Sequence, residues 1–132
     1  MERRLKVYVA GKLNAQAVDY IKNLHTMIKK ANEIRKAGFS VYIPGLSFLA
    51  GLVDGNYKYE DYLENSLPWL EVSDALYVID NWQTSEGAKK EIEMARNLNK
   101  PIFFSLESLI KWRDEEIKGA HNSSGLQLEF EL

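Results

Sequence analysis

Four short apolar runs, spaced by helix-length segments, restrict this chain to very few folds. Leu5–Ala10, Phe39–Ile43, Ala75–Ile79 and Pro101–Phe104 have strand length and are rich in β-formers, and Gly11, Pro44 and Asp80 stop the first three. Between and after them, Ala15–Ala37, Tyr59–Val72, Ser85–Asn99 and Ser105–Ile117 read as helices. Ala17, Ile21, Leu24, Ile28, Ala31 and Ile34 form the stripe of the first, which Gly38 closes. Pro68 is expected to bend the second helix or break it near its end. Such alternation predicts an α/β fold: a doubly wound, flavodoxin- or Rossmann-like, mainly parallel sheet of four or five strands with helices on both faces.

The segment from Leu46 to Tyr59 holds Gly51 and Gly55 among Phe48, Leu49, Leu52 and Val53. It is long for a connection and apolar for a loop, which suits a lid or a partner surface. From Lys118 the composition changes to GAHNSSG and then LQLEFEL. The expected organisation is therefore one α/β domain over residues 1–117 and a tail over 118–132 that could form an edge strand.

Composition removes several functions. The chain has 132 residues, enough for one domain with its own core, and no cysteine for disulfides, thiolate chemistry or cysteine-bound metal. His25 and His121 show no ligand spacing, so neither a metal nor another cofactor is expected. A net charge of −2 gives no basic excess for a nucleic-acid polymer. No apolar stretch reaches membrane-spanning length, and a cytoplasmic protein is expected.

One charge contradicts its surroundings. On the Ser85–Asn99 helix, at about 100° per residue, Ala88, Ile92, Met94, Ala95 and Leu98 share a face, and Glu91 falls inside that apolar arc. An ionised carboxylate on a core face must be paired, protonated or working, since leaving it unpartnered costs several kcal/mol. Either Tyr8, Lys12 or another neighbour satisfies Glu91, or it acts as a nucleophile on an electrophilic anomeric carbon. Ser85 and Gly87 begin the same helix, where free N–H groups favour an anion, although Ser85 is also a good N-cap and Gly87 could serve packing. Ligands of open α/β sheets bind beyond the carboxyl ends of the strands, which here brings in Gly11–Asn14, Pro44–Tyr59 and Asp80–Ser85. Lys12 and Asn14 add a cation and an amide to that edge. Asp80 could bind a ligand or cap a turn, and Trp82 and Tyr57 could stack on a base or fill the core.

The stretch DALYVIDNWQTSEGAKKEIEMARNLNKPIFF resembles the nucleoside 2-deoxyribosyltransferase superfamily, with Glu91 at the position of the family's nucleophile. The pattern Ser85-x-Gly87-x3-Glu91, with Ser85 where transferases of free nucleosides carry Asp, is similar to the deoxynucleoside 5′-monophosphate N-glycosidase branch. The opening VYVAGKLN also resembles that branch, with Tyr8 and Gly11 in matching places. Trp82, Ser85, Gly87, Ala88 and Glu91 fit a W-x2-S-x-G-A-x3-E pattern of phage and bacterial proteins of undescribed activity. The resemblance runs from about Lys6 to Phe104. It implies cleavage or transfer of the N-glycosidic bond of a nucleotide, with Tyr8 orienting Glu91 and the phosphate on Gly11, Lys12, Asn14, Ser85 and Gly87. Asp80, Trp82 and Ser66 are the implied base or sugar contacts, and a homodimer or higher oligomer is implied.

The chain departs from the branch at Asn14, where the branch has arginine, and at Ser66, where it has aspartate; no histidine follows the second strand. These departures favour a rival reading, a nucleotide-binding module without chemistry; the apolar 46–53 segment and the alternating tail suit a third, an oligomeric scaffold.

Overall fold

The computed structural model describes residues 4–13 and 17–127. Strands β1 (Lys6–Ala10), β2 (Ser40–Tyr42), β3 (Ala75–Val78) and β4 (Ile102–Phe103) form a wholly parallel sheet in the order β2-β1-β3-β4. Helices α1 (Ala17–Lys36), α2 (Gly45–Asp54), α3 (Tyr59–Glu71), α4 (Glu86–Asn97) and α5 (Leu106–Gln127) connect and flank them. A 3-10 turn, Asp80–Thr84, leads from β3 into α4.

The two-residue period of β1 divides the core. Val7 and Val9 face Met27 and Ile34 of α1 and Leu109 of α5, whereas Tyr8 and Ala10 face Leu70 of α3 and Ile92 and Ala95 of α4. β3 lies between β1 and β4 and is buried along its whole length, which explains its unbroken apolar character. The doubly wound α/β class is thus as expected, with four strands among the described residues.

Several local expectations change. The Leu46–Tyr59 connection contains helix α2; Gly55, at φ 80°, closes it by donating to Gly51 O at 2.8 Å. Gly51 is a packing glycine, since a Cβ there would lie 2.3 Å from the Tyr62 hydroxyl. Pro68 does not break α3 at its own position: the helix runs on to Glu71, and the only bond forgone is the one a Pro68 N–H would have donated. On α1 the buried residues are Met27 and Ile34, while Ile21 and Ile28 of the expected stripe are exposed, because only the helix's inner line reaches the sheet. Helix α5 continues past Ile117 to Gln127, so residues 118–127 are helical and form no edge strand; residues 128–132 lie outside the described residues. Its two glycines, Gly119 and Gly125, cost only about 1 kcal/mol each, and no proline interrupts the run.

Candidate functional site

The sheet order reverses between β1 and β3, and the chain is stitched together at that point. Ile79 N donates to Ala10 O at 2.9 Å, and Lys12 N donates to Asn81 Oδ1 at 2.9 Å. Gly11 eases the close approach there, because a Cβ would crowd Ile79 at 3.1 Å and Asn81 Oδ1 at 3.3 Å. Lys12 Nζ donates to Thr84 Oγ1 at 3.0 Å across the same gap.

Beyond these strand ends lies a cavity of about 440 Å³, within the size range of small-molecule sites. Gly11 and Leu13 wall it from β1, Pro44 and Ser47 from the start of α2, Tyr62, Leu63 and Ser66 from α3, and Thr84–Ala88 with Glu91 from α4.

Glu91 is buried, 7% exposed, and faces this cavity. The hydroxyl of Tyr8, itself fully buried on β1, donates to Glu91 Oε2. Burial, partly offset by the Tyr8 hydrogen bond, pushes the Glu91 carboxyl up from 4.5 to about 8. Burial, and then the charge of Glu91, push the Tyr8 phenol well above its usual value. Of the alternatives open to this residue, the structure selects Tyr8 as its partner; Lys12 is engaged by Thr84.

Ser85 caps α4, its Oγ accepting from Ala88 N at 3.1 Å. The N–H groups of Glu86 and Gly87 precede the first intrahelical bond and carry the positive end of the helix dipole. A Cβ on Gly87 would meet only Ser85 Oγ, at 3.9 Å, so this glycine fills no packing need and leaves the helix start open to the cavity. The Glu86 carboxylate stands on the mouth and pairs with Lys89 at 3.6 Å.

The structure brings Tyr8, Gly11, Ser66, Ser85, Gly87 and Glu91 together and places Lys12 on the rim. Asp80 and Trp82, expected as base or sugar contacts, stand outside the cavity wall. Asp80 is exposed at the start of the 3-10 turn, and Trp82 packs against Phe104 with ring centroids 6.1 Å apart. Asn14 lies outside the described residues. Tyr57 packs edge-on against Tyr62 at 5.2 Å and so supports a wall residue. Sequence reasoning missed Ser47, Tyr62, Asn81 and Thr84. Asn81 and Thr84 flank the notable Trp82 and were legible as loop polars at a strand end, whereas Ser47 and Tyr62 depend on how α2 and α3 pack.

Among the described residues no group of three His, Asp or Glu side chains is placed to hold a metal ion, and no helix is long and apolar enough to cross a membrane. A family model described as "Domain of unknown function (DUF4406)" matches residues 5–104, well over half of the chain. Among solved structures, the chain is similar to a 2-deoxyribosyltransferase from the psychrotolerant bacterium Bacillus psychrosaccharolyticus, at 23% identity and a TM-score of 0.55, over 74% of this chain and 69% of that one. It is also similar to a conserved protein from Enterococcus faecalis V583, at 19% identity and a TM-score of 0.56, over 76% of this chain and 62% of that one. At these identities the likeness establishes a shared fold. No curated protein sequence matches.

Proposed function

The chain belongs to the domain-of-unknown-function family DUF4406, and we propose that it cleaves or transfers the N-glycosidic bond of a nucleoside 5′-monophosphate through Glu91. The observation that carries this reading is the buried Tyr8–Glu91 pair opening onto a cavity whose neighbouring wall is an unfilled helix start. The fold shared with a 2-deoxyribosyltransferase supports the same chemistry.

In this mechanism the 5′-phosphate sits on the Glu86 and Gly87 amides and the Ser85 hydroxyl, with the Lys12 ammonium at the rim. The ionised Glu91 carboxylate attacks C1′. The N-glycosidic bond breaks, its electron pair leaves with the base, and the base takes up a proton. Water, or a second base, then attacks C1′ of the glycosyl ester and releases the carboxylate. Incubating the protein with each 5′-monophosphate should yield free base and a protein mass raised by one sugar phosphate. Neither product from any nucleotide would sink the proposal.

Because the nucleophile must be ionised, kcat/KM should rise with pH through a midpoint near 8, the value to which burial lifts Glu91. A rate that falls over this range would instead make Glu91 a general acid. In Tyr8→Phe the midpoint should move higher still, since the lost hydrogen bond is the one that lowers the Glu91 pKa. The deficit of that variant should therefore be larger at pH 7 than at pH 9.

Ser85→Asp keeps a good N-cap but sets a carboxylate where the phosphate binds. KM for a monophosphate should rise about a hundredfold from the like-charge contact, while the melting temperature stays near wild type. An unchanged KM would move the phosphate elsewhere.

The burial that raises the Glu91 pKa also favours a second reading, a nucleotide-binding module without turnover. Thermal stabilisation by monophosphates with no release of base, unaltered by Glu91→Gln, would favour it. Assembly as a homodimer or higher oligomer belongs to the leading proposal, with exposed Leu52 and Val53 on α2 as apolar surface, and light scattering measures it.

A further inference from the structure

The residues expected at a nucleobase do not reach the cavity: Trp82 packs against Phe104, and Asp80 is exposed outside the wall. A nucleotide with its phosphate on the start of α4 still has a flat aromatic base to place. Among the described residues that line the cavity, Tyr62 is the only aromatic one. It comes from α3, a different wall from the polar Thr84–Gly87 stretch, and Leu13, Pro44 and Leu63 supply further apolar lining.

The neighbours of Tyr62 fix its ring. Gly51 of α2 lies against it: a Cβ there would stand 2.3 Å from the Tyr62 hydroxyl and 2.9 Å from two ring carbons. Glycine inside a helix weakens it relative to alanine, so α2 gives up helix stability to admit this ring. Tyr57, in the connection between α2 and α3, meets the same ring with centroids 5.2 Å apart and planes 62° apart. Tyr62 is only partly buried and belongs to neither half of the core. Its packing is that of a braced surface at the edge of a cavity. A stiff side chain already held by its neighbours loses little freedom when a ligand docks.

We propose that the Tyr62 ring, seated on Gly51 and braced by Tyr57, is the platform on which the nucleobase stacks. Base stacking presupposes the nucleotide reading above and extends it to the end of the ligand that the phosphate seat leaves uncovered. Tyr62 touches the ligand, whereas Gly51 and Tyr57 are positioning residues. Every base has a π-face, so a platform of this kind accepts any of them.

Proton NMR on Glu91→Gln, in which no base is released, tests the platform with two ligands. One is 2′-deoxyadenosine 5′-monophosphate and the other 2-deoxyribose 5-phosphate, which lacks the base. On binding, the base protons should move upfield under the ring current and show cross-relaxation with the Tyr62 ring. Adding Tyr62→Leu should weaken the nucleotide about tenfold and remove the upfield shift, while the sugar phosphate binds unchanged. Tyr62→Phe should keep both properties. Gly51→Ala, which displaces the ring, should weaken the nucleotide and spare the sugar phosphate. Undiminished nucleotide binding in Tyr62→Leu, or equal losses for the two ligands, would overturn the platform, as would a nucleotide that does not bind at all. If Tyr62→Leu does not fold, the cross-relaxation in Glu91→Gln decides alone: its presence supports the platform and its absence refutes it. No turnover enters these measurements. Stacking without base release in the wild-type nucleotide assay would remove the glycosidic chemistry and keep Tyr62, and base release without stacking would do the reverse.

Discussion

Glu91→Gln is expected to lower nucleotide cleavage by about a thousandfold or more and to remove the sugar-phosphate adduct from the protein. A glutamine has the volume of the glutamate and keeps an oxygen that accepts from Tyr8, so the pocket survives. What it loses is a nucleophile, and removing the attacking atom from a covalent mechanism typically costs several orders of magnitude. Activity within tenfold of wild type would end the nucleophile assignment. The same substitution carries a second signature, in stability. The folded pKa of Glu91, about 8, stands above the unfolded value near 4.5, so the native state holds a proton that the unfolded chain releases between those limits. Its contribution is fully present below about pH 4.5 and is lost as pH rises through 8, with a slope of at most about 1.4 kcal/mol per pH unit. Glu91→Gln has no proton to lose. Urea titrations should therefore show the variant gaining on wild type from pH 5 to about pH 8 and levelling off above it. A carboxylate that weakens the fold at alkaline pH and is required for turnover is the pattern of a working residue.

Phe39→Ala is expected to cost about 3–5 kcal/mol, a large part of the 5–15 kcal/mol typical of a domain. Phe39 is wholly buried and stands where α1, β2 and α5 converge. The Arg113 guanidinium lies 4.9 Å from its ring centroid while donating to Ala37 O, and Arg4 Nη2 donates to Phe39 O at 2.6 Å. Removing the ring opens a cavity that this network cannot close without moving β2. Since β2 leads directly to Pro44 and Ser47 on the cavity wall, binding should weaken as well. Chemical denaturation should show the midpoint falling at nearly constant m-value; a loss under 1 kcal/mol would mean that the site collapses freely.

These two residues show how far the sequence could be read. Glu91 was legible because helical periodicity is a one-dimensional signal: a charge within an apolar arc is visible without knowing what the arc packs against. Ser85 and Gly87 were legible as helix-start residues for the same reason. The four strands followed from length, β-branched content and stopping residues, each a local property. Ile21 and Ile28 misled, because periodicity reports a candidate face and not how much of a helix meets the sheet. The Leu46–Tyr59 segment misled as well. It reads as a connection, whereas it holds α2, in which Gly51 admits the Tyr62 ring from a neighbouring helix.

From local pattern alone the sequence determined the parallel α/β class, the strand ends at which a ligand would bind, and the presence of one carboxylate out of place. The tertiary structure decided which groups surround that carboxylate. Tyr8 is 83 positions away along the chain, and Ser47 meets Ser66 from another helix. No periodicity encodes such meetings, because they depend on the order of strands in the sheet and on the close packing of α2, α3 and α4 above it. Burial works in the same way: the helix pattern marks Glu91 as inward-facing, but only the surrounding atoms exclude the water that would otherwise keep its pKa ordinary.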